Sequence, residues 1–486
     1  MNKPKLLRAP AALLRYFRTT SIVVSAIIFS LLAPTPLIDG IHKAVFKNEQ
    51  GRPPHPLRSV YLACLLMRAC NIRSENALTD KISRSPAAPR RLGLRKQKLD
   101  RNKSPHNKVF TNFRERVGVD NIIKIFQELV KTAKNEGLYD GTYLVLDSKV
   151  IDLCTSCSCK HLKSCPYIQH KENKFPEDCL MYSYENAQPG HKGGPDGDYR
   201  YVGYKKHDAI DLLSGLRIAT IFTSGNVSDN VIGLELLKLV KKLDFKPKYV
   251  LADSGYDDVK IYEFIIHELE SRPFIKLNLR NTVAKSFTYE KENGKIRTTP
   301  LGTPFCNANH MMKFVASDNE KATWSCPTEH MDQSHLEDRK CLFNPNHDCI
   351  IYTYPEDDIR RFSLPPRETD GWSSIYKLRK EGEQTFSQYD ENLNLGVINY
   401  STFDDLTIYS FMTDITILTV AIMADKLEIP KYTRNTKEIA FYVMKMLYGD
   451  EFVEVRKAII LEVFEILTML GAMDKDEIIA AIAEMR

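Results

Sequence analysis

TYLVLDSKVIDL at residues 142–153 and KYVLADSGY at residues 248–256 decide how this chain reads. Each holds a short apolar run, Tyr143 to Leu146 and Tyr249 to Ala252, that ends on an aspartate, Asp147 or Asp253. Short apolar runs with aromatic or β-branched residues, bounded by turn residues, read as strands. An unpaired carboxylate is expensive to bury, so an aspartate in such a run sits at a strand end or serves a cation. Ser254-Gly255-Tyr256 is a turn that leaves Asp253 at the carboxyl end of its strand, where ligand sites form in open α/β sheets. A capping or turn role explains either aspartate alone equally well; two strands with the same ending favour a shared site.

The flanking sequence supplies the rest of a sheet. RYVGYKKHDAIDLL (200–213) and LRIATIFTSG (216–225) read as a hairpin joined by Ser214-Gly215, and VIGLELLKLVKKL (231–243) as an amphipathic helix. A further helix is expected over 257–270, and RPFIKLNL (272–279) is a fifth strand. Three consecutive strands, then helix, strand, helix and strand, describe a mixed α/β sheet. Residues 280–366 interrupt that order: they lack long helical periodicity, are rich in polar residues and turns and carry four cysteines, so they read as an insertion rather than more sheet. WSSIYKLRKEGEQTFSQYDE (372–391) is helical, as is most of the C-terminal end, where Asp474 and Glu477 have capping-box spacing. The expected organisation is a helical region over 1–118, a sheet core in two parts (119–279 and 367–425) around the insertion at 280–366, and C-terminal helices over 426–486.

At ~150 residues per domain the length allows about three domains. With 43% hydrophobic and 27% charged residues, the composition excludes a collagenous, low-complexity or wholly disordered chain. The net charge of +6 conceals an asymmetry: residues 1–118 hold 23 Lys/Arg against 6 Asp/Glu, net +17, and the remainder is −11. A basic front on an acidic body suits a polyanion in one part and gathered carboxylates in another. Residues 81–118 alone carry 12 Lys/Arg against 2 acids. A solvated linker is the plain account of such a run. The functional account is contact with DNA phosphates, expected at Arg90, Arg91, Arg95 and Lys96, since each neutralised phosphate releases counterions and adds salt-sensitive affinity. The N-terminus, with Lys3, Lys5 and Arg8 before IVVSAIIFSLL (22–32), outwardly meets the recipe for a secretory leader. That run is too short to span a bilayer and Pro34 and Pro36 end it, so it reads as a buried helix.

Eleven cysteines fall in groups. Cys154-x2-Cys157-x1-Cys159-x5-Cys165, with Cys179, His161 and His170 nearby, suits one tetrahedral Zn²⁺; free thiols and a redox or iron–sulfur role are the alternatives. Cys306, Cys326, Cys341 and Cys349 lie at wide spacings among His310, His330, His335 and His347, an arrangement compatible with a structural zinc but not requiring one.

Carboxylates such as Asp147 and Asp253 suit two divalent ions about 4 Å apart at a phosphodiester, one activating a water or 3′-hydroxyl and the other stabilising the leaving oxygen. Mg²⁺ prefers oxygen ligands and keeps several waters, so two or three carboxylates suffice, and the cysteines are not expected to take part. The helix after the insertion offers a third acid: Tyr376, Arg379 and Glu383 fall at i, i+3 and i+7, on one helical face. Glu381 is the nearest competitor, pointing about 200° away around that helix.

Together these residues resemble the DDE transposases of bacterial insertion sequences, in particular the group with a Tyr-x2-Arg-x3-Glu-x6-Lys signature around the third acid. Tyr376-x2-Arg379-x3-Glu383 has its spacing and residue types, while the lysine position holds Asp390. Similarity extends to GYKKHDAIDLLSGLRIA (203–219), to TSGNVSDN (223–230) with Asp229 before a helix, and to ADSGYDD (252–258). CNANHMM and WSCP resemble the Cys-bearing β insertion that some members carry, and the likeness runs from about 50 to 425.

The resemblance implies an α/β, RNase H-like mixed sheet with a helical N-terminal domain and a helical tail. Asp147, Asp253 and Glu383 would hold two Mg²⁺ (or Mn²⁺) ions for DNA cleavage at element ends and for attack of the freed 3′-hydroxyl on target DNA. Arg379, with Tyr376, would bind DNA phosphate, a surface ion pair with Glu383 being the plain account of the arginine. Lys205, Lys206 and His207 would line the DNA channel, against a solvated hairpin. The implied partners are double-stranded DNA, as terminal repeats and target, and further copies of the chain on that DNA; the implied location is the bacterial cytoplasm with the nucleoid, away from membrane. Asp390 supports a second reading, a catalytically inactive DNA-binding relic or regulator.

Overall fold

The computed structural model describes residues 35–45, 55–69, 72–83, 94, 106–153, 163–169, 177–193, 199–279, 286–291, 294–306, 309–327, 350–382, 393 and 400–426. Outside them lie the apolar run at 22–32, the basic residues Arg90, Arg91, Arg95 and Lys96, the thiols Cys154, Cys157, Cys159, Cys341 and Cys349, the acids Glu383 and Asp390, and the helices expected beyond 426.

The chain divides into two compact units, Met1–Ile125 with Ile415–Arg486, and Phe126–Asp414. The first contains α1 (Thr35–Val45), α2 (Leu57–Ala69), α3 (Glu75–Ser83) and the start of α4 (Lys108–Asn135). Leu65, Leu78, Ile82 and Phe110 are buried there, and Arg114 pairs with Glu75. α4 breaks at Gly118, whose φ of 70° is left-handed and available to glycine without steric cost.

The second unit is built on β1 (Tyr143–Asp152), β2 (Gln188–Lys192), β3 (Tyr199–Asp211), β4 (Arg217–Ser224), β5 (Tyr249–Ala252) and β6 (Arg272–Ile275). β1 is paired on both edges, antiparallel to β3 and parallel to β5, which is why Leu144, Val145 and Leu146 form a continuous buried run. β4 lies antiparallel on the far edge of β3, and β6 parallel on the far edge of β5. The five strands expected from the sequence thus run β4-β3-β1-β5-β6, a mixed α/β sheet. β2, whose QPGHK has no apolar period, is an addition on the β4 edge of β3. Asp211 closes the β3–β4 hairpin by accepting from Ser214 N (3.0 Å), and holds the entry to β1 by accepting from Gly141 N (2.8 Å). β3 passes so close to β1 that a Cβ at Gly203 would lie 2.2 Å from Ile151 O.

α5 (Asp229–Lys242) crosses from β4 towards β5, burying Leu236, Leu237 and Val240. α6 (Val259–Glu263) runs into one π-helical turn, Phe264–Glu268, before β6. α7 (Asp370–Lys377) seats on the sheet through Trp372, which stacks on Phe274 (6.1 Å) and Tyr376 (4.6 Å) and packs with Val145 and Leu251. α8 (Phe403–Lys426) is long and apolar enough to cross a membrane over Phe403–Ile422, yet 89% of that stretch is buried inside the protein.

The insertion is β structure, as expected. β7 (Phe287–Lys291) and β8 (Gly294–Thr298) form a hairpin, and β9 (Lys313–Ser317), β10 (Ala322–Ser325) and β11 (Ile350–Thr353) a three-stranded sheet around Trp324, Met312 and Cys306. The returning chain is fastened to the core by Arg360 Nε donating to Asp257 Oδ1 (3.1 Å) and Arg367 Nε donating to Ile275 O (3.2 Å).

Candidate active site

β1 and β5 run parallel with Leu146 opposite Ala252, so Asp147 and Asp253 follow at the same level on neighbouring strands, which are about 4.8 Å apart in any sheet. Asp147 remains within β1, opposite Asp208 of β3. Asp253 leaves β5 and caps the 3-10 turn Ser254–Tyr256, its Oδ1 accepting from Gly255 N (2.8 Å). The space over that glycine is tight: a Cβ there would lie 3.0 Å from Asp253 Oδ1 and 3.1 Å from Asp229 Oδ2. Asp229, in the first turn of α5, therefore converges with Asp253 on one point. The Asp253 carboxyl is raised above its usual range, chiefly by burial; the Gly255 N–H opposes this, the Asp229 charge adds to it, and Arg379 and Lys192 oppose it.

Arg379 comes to the same place from the helix beyond α7, with Nη1 3.9 Å from Asp147 Oδ1. Tyr376 lies beneath it, the guanidinium 5.8 Å from the ring centre. Residues 379–382 are helical, and a Cβ on Gly382 would meet Val145 Cγ1 at 3.1 Å. The residue before Glu383 thus abuts β1 two positions ahead of Asp147, while Glu381 is exposed.

The paired lysines correct the sequence reading. Lys206, expected in a DNA channel, is 0% exposed: its Nζ donates to Asp208 Oδ2 (2.6 Å) and lies 3.1 Å from Asp414 Oδ1 of α8. Arg217 Nε donates to the same Asp208 (3.3 Å), so two cations and two carboxylates neutralise one another under α8. An ammonium enclosed in this way has no surface for a phosphate. Lys205, on the opposite face of β3, is 8% exposed and donates to Val227 O (3.0 Å) and Asp229 Oδ1 (3.2 Å). His207, on the Lys205 face, is buried with Nε2 2.9 Å from Thr223 Oγ1 and Nδ1 3.4 Å from Asp229 Oδ1. Burial pushes its pKa down to about 4, against the pull of Asp229. A solvated hairpin fails equally, because α5 covers one face of β3 and α8 the other.

Among the described residues, no group of three or more His, Cys, Asp or Glu side chains is gathered to hold a metal. Cys165, Cys179, Cys306 and Cys326 are buried. What the strand ends offer is a pair of aspartates with hard oxygen donors, suited to Mg²⁺ or Mn²⁺, and one further fitting feature. Tyr256 is wholly buried beside Asp253, and among the described residues its hydroxyl has no hydrogen-bond partner. Asp229 and Tyr256 were not singled out by sequence reasoning as parts of a site. Asp229 opens a helix after Ser228, which suggests end-of-helix electrostatics, and Tyr256 looks like an ordinary turn residue.

The sequence model described as the transposase DDE domain matches residues 139–419, and one described as a transposase domain matches residues 26–116. The chain belongs to the DDE transposase family, enzymes of metal-dependent DNA cleavage and strand transfer. No curated protein matches it. Among solved structures, a piggyBac transposase synaptic complex with hairpin DNA matches at 10% identity and a TM-score of 0.37, over 90% of this chain and 85% of that one.

Proposed function

We propose that Asp147, Asp253 and Glu383 are the catalytic acids of a transposase that cuts DNA at the ends of an insertion sequence and joins the freed 3′-ends to target DNA. The observation that carries this is the side-by-side placement of Asp147 and Asp253 on parallel strands, with Arg379 beside the first and the helix leading to Glu383 packed against β1. Bound by these acids, two Mg²⁺ or Mn²⁺ ions would activate the attacking water or hydroxyl and stabilise the leaving oxygen. The protein's own part is to hold the carboxylates in place: β1 pairing fixes Asp147, and the Gly255 N–H fixes one oxygen of Asp253. Arg379, with Tyr376 under its guanidinium, serves as the phosphate-orienting cation. Terminal-repeat and target duplexes are the DNA partners, the basic residues Arg90, Arg91, Arg95 and Lys96 contribute backbone contacts, and further copies of the chain assemble on the DNA ends in the nucleoid. A structural zinc on Cys306, Cys326, Cys341 and Cys349 completes the proposal; the first two thiols are buried in the insertion.

The test is a cleavage and strand-transfer assay on terminal-repeat DNA with Mg²⁺ or Mn²⁺, comparing the parent with Asp147→Ala, Asp253→Ala and Glu383→Ala. All three variants are expected to lose both activities while still binding DNA. Activity surviving in any one removes that residue from the site. A parent that binds terminal repeats without cutting them would support the inactive relic to which Asp390 points. Metal analysis settles the zinc, with less than about half an equivalent per chain counting against it.

A further inference from the structure

The Tyr256 hydroxyl poses a physical question that the three acids leave open. Its ring is wedged against α5, where a Cβ on Gly233 would stand 2.6 Å from Tyr256 Cδ1, and its backbone N–H donates to Asp253 O (3.3 Å). The side chain is 0% exposed and its oxygen has no hydrogen-bond partner among the described residues. A buried hydroxyl left unsatisfied costs roughly 1–3 kcal/mol, so such a group calls for a function. Burial holds the phenol well above its usual range, and the charges of Asp229, Asp147, Asp253 and Asp208, in that order, push it further. Gly233 lies one helical turn beyond Asp229 on α5, and Asp229 converges with Asp253 over Gly255.

We propose that Tyr256 and Asp229 are positioning residues of the cation site, engaging the water shell of a divalent ion held by Asp147 and Asp253. Mg²⁺ and Mn²⁺ keep several waters when bound by few carboxylates, and those waters need hydrogen-bond partners of both kinds. Asp229 supplies acceptor oxygens; Lys205 and His207 hold it in place at 3.2 Å and 3.4 Å. Tyr256 supplies a group that can donate or accept. The inference rests on the reading of Asp147 and Asp253 as cation ligands.

The test is Mn²⁺ binding to the purified full chain, read from the electron paramagnetic resonance signal of free Mn²⁺, with thermal melting measured in parallel. Tyr256→Phe removes only an oxygen that has no hydrogen-bond partner among the described residues. It is expected to leave the metal-free melting temperature unchanged or raised and to weaken Mn²⁺ binding about tenfold, in the range for loss of an outer-shell partner. Asp229→Asn is expected to weaken binding by a similar factor, and Lys205→Met, which releases the Asp229 carboxylate from its position, is expected to weaken it too. A purely structural role predicts the opposite pattern: all three variants lower the melting temperature, and Mn²⁺ binding stays within about twofold of the parent. That result overturns the inference. If Asp229→Asn does not fold, Tyr256→Phe decides alone. Asp147→Asn and Asp253→Asn separate the two levels: if these weaken binding and Tyr256→Phe does not, only this inference fails. If neither aspartate matters, the cation site itself fails and the inference with it.

Discussion

Replacing Lys206 by methionine isolates what the buried charge cluster contributes. In the parent, Lys206 Nζ lies 2.6 Å from Asp208 Oδ2 and 3.1 Å from Asp414 Oδ1, with all three side chains 0% exposed. Without it, Asp208 keeps Arg217 Nε at 3.3 Å, but Asp414 is left with Thr220 Oγ1 at 3.0 Å, a hydroxyl that also serves Asp208 at 2.8 Å. One buried carboxylate thus loses its counter-charge, a change that costs about 3–5 kcal/mol in comparable sites. At roughly 2 °C per kcal/mol for a unit of this size, melting of the full chain should fall by about 6–10 °C at neutral pH. Burial already holds the Asp414 carboxyl above its usual range, against the pull of Lys206, and removing that cation raises it further. A carboxyl whose folded pKa exceeds its unfolded one adds stability at low pH and loses it as pH rises through the folded value. The deficit of the variant should therefore shrink on acidification. Adding Asp414→Asn should recover at least half of it, because the stranded charge is gone. A melting temperature within about 2 °C of the parent at neutral pH, or no recovery in the double variant, would refute the reasoning.

Two other predictions concern protons and salt. His207 stays neutral in the fold with a pKa lowered to about 4, whereas the unfolded chain takes up a proton near pH 6.5. Its contribution is lost as pH falls from about 6.5 towards 4, so His207→Gln should flatten the acid side of a plot of melting temperature against pH; an unchanged slope there would count against it. For the basic segment, neutralising Arg90, Arg91, Arg95 and Lys96 together should flatten the log–log salt dependence of DNA binding by about 3–4 units if all four contact phosphates. An unchanged slope returns them to a linker.

Strands were legible where apolar runs are short and bounded by turns. Tyr143–Leu146 and Tyr249–Ala252 lie in the sheet with an aspartate following each, and Ser214-Gly215 turns the hairpin, with Gly215 at φ 70°. The helix expected over 257–270 was less legible: α6 ends at Glu263 and a π turn completes it, since apolar periodicity does not separate the two hydrogen-bond patterns. The lysine pair was misread for a different reason. Adjacent strand residues face opposite sides, so Lys205 and Lys206 cannot share a surface. Local sequence does not say which elements cover those sides.

By itself the sequence determined the alternation of strands and helices, the two strand-end aspartates, the presence of an insertion and the asymmetry of charge. These follow from side-chain period and composition, which are local. The tertiary structure alone decided that Asp229 meets Asp253 and Arg379 meets Asp147 at one end of the sheet, and that Lys206 is neutralised by Asp414, 208 residues further on. Whether a charged side chain binds DNA, orients a cation or stabilises a core depends on which distant element covers it, because burial and counter-charge, not residue type, set what a charge can do.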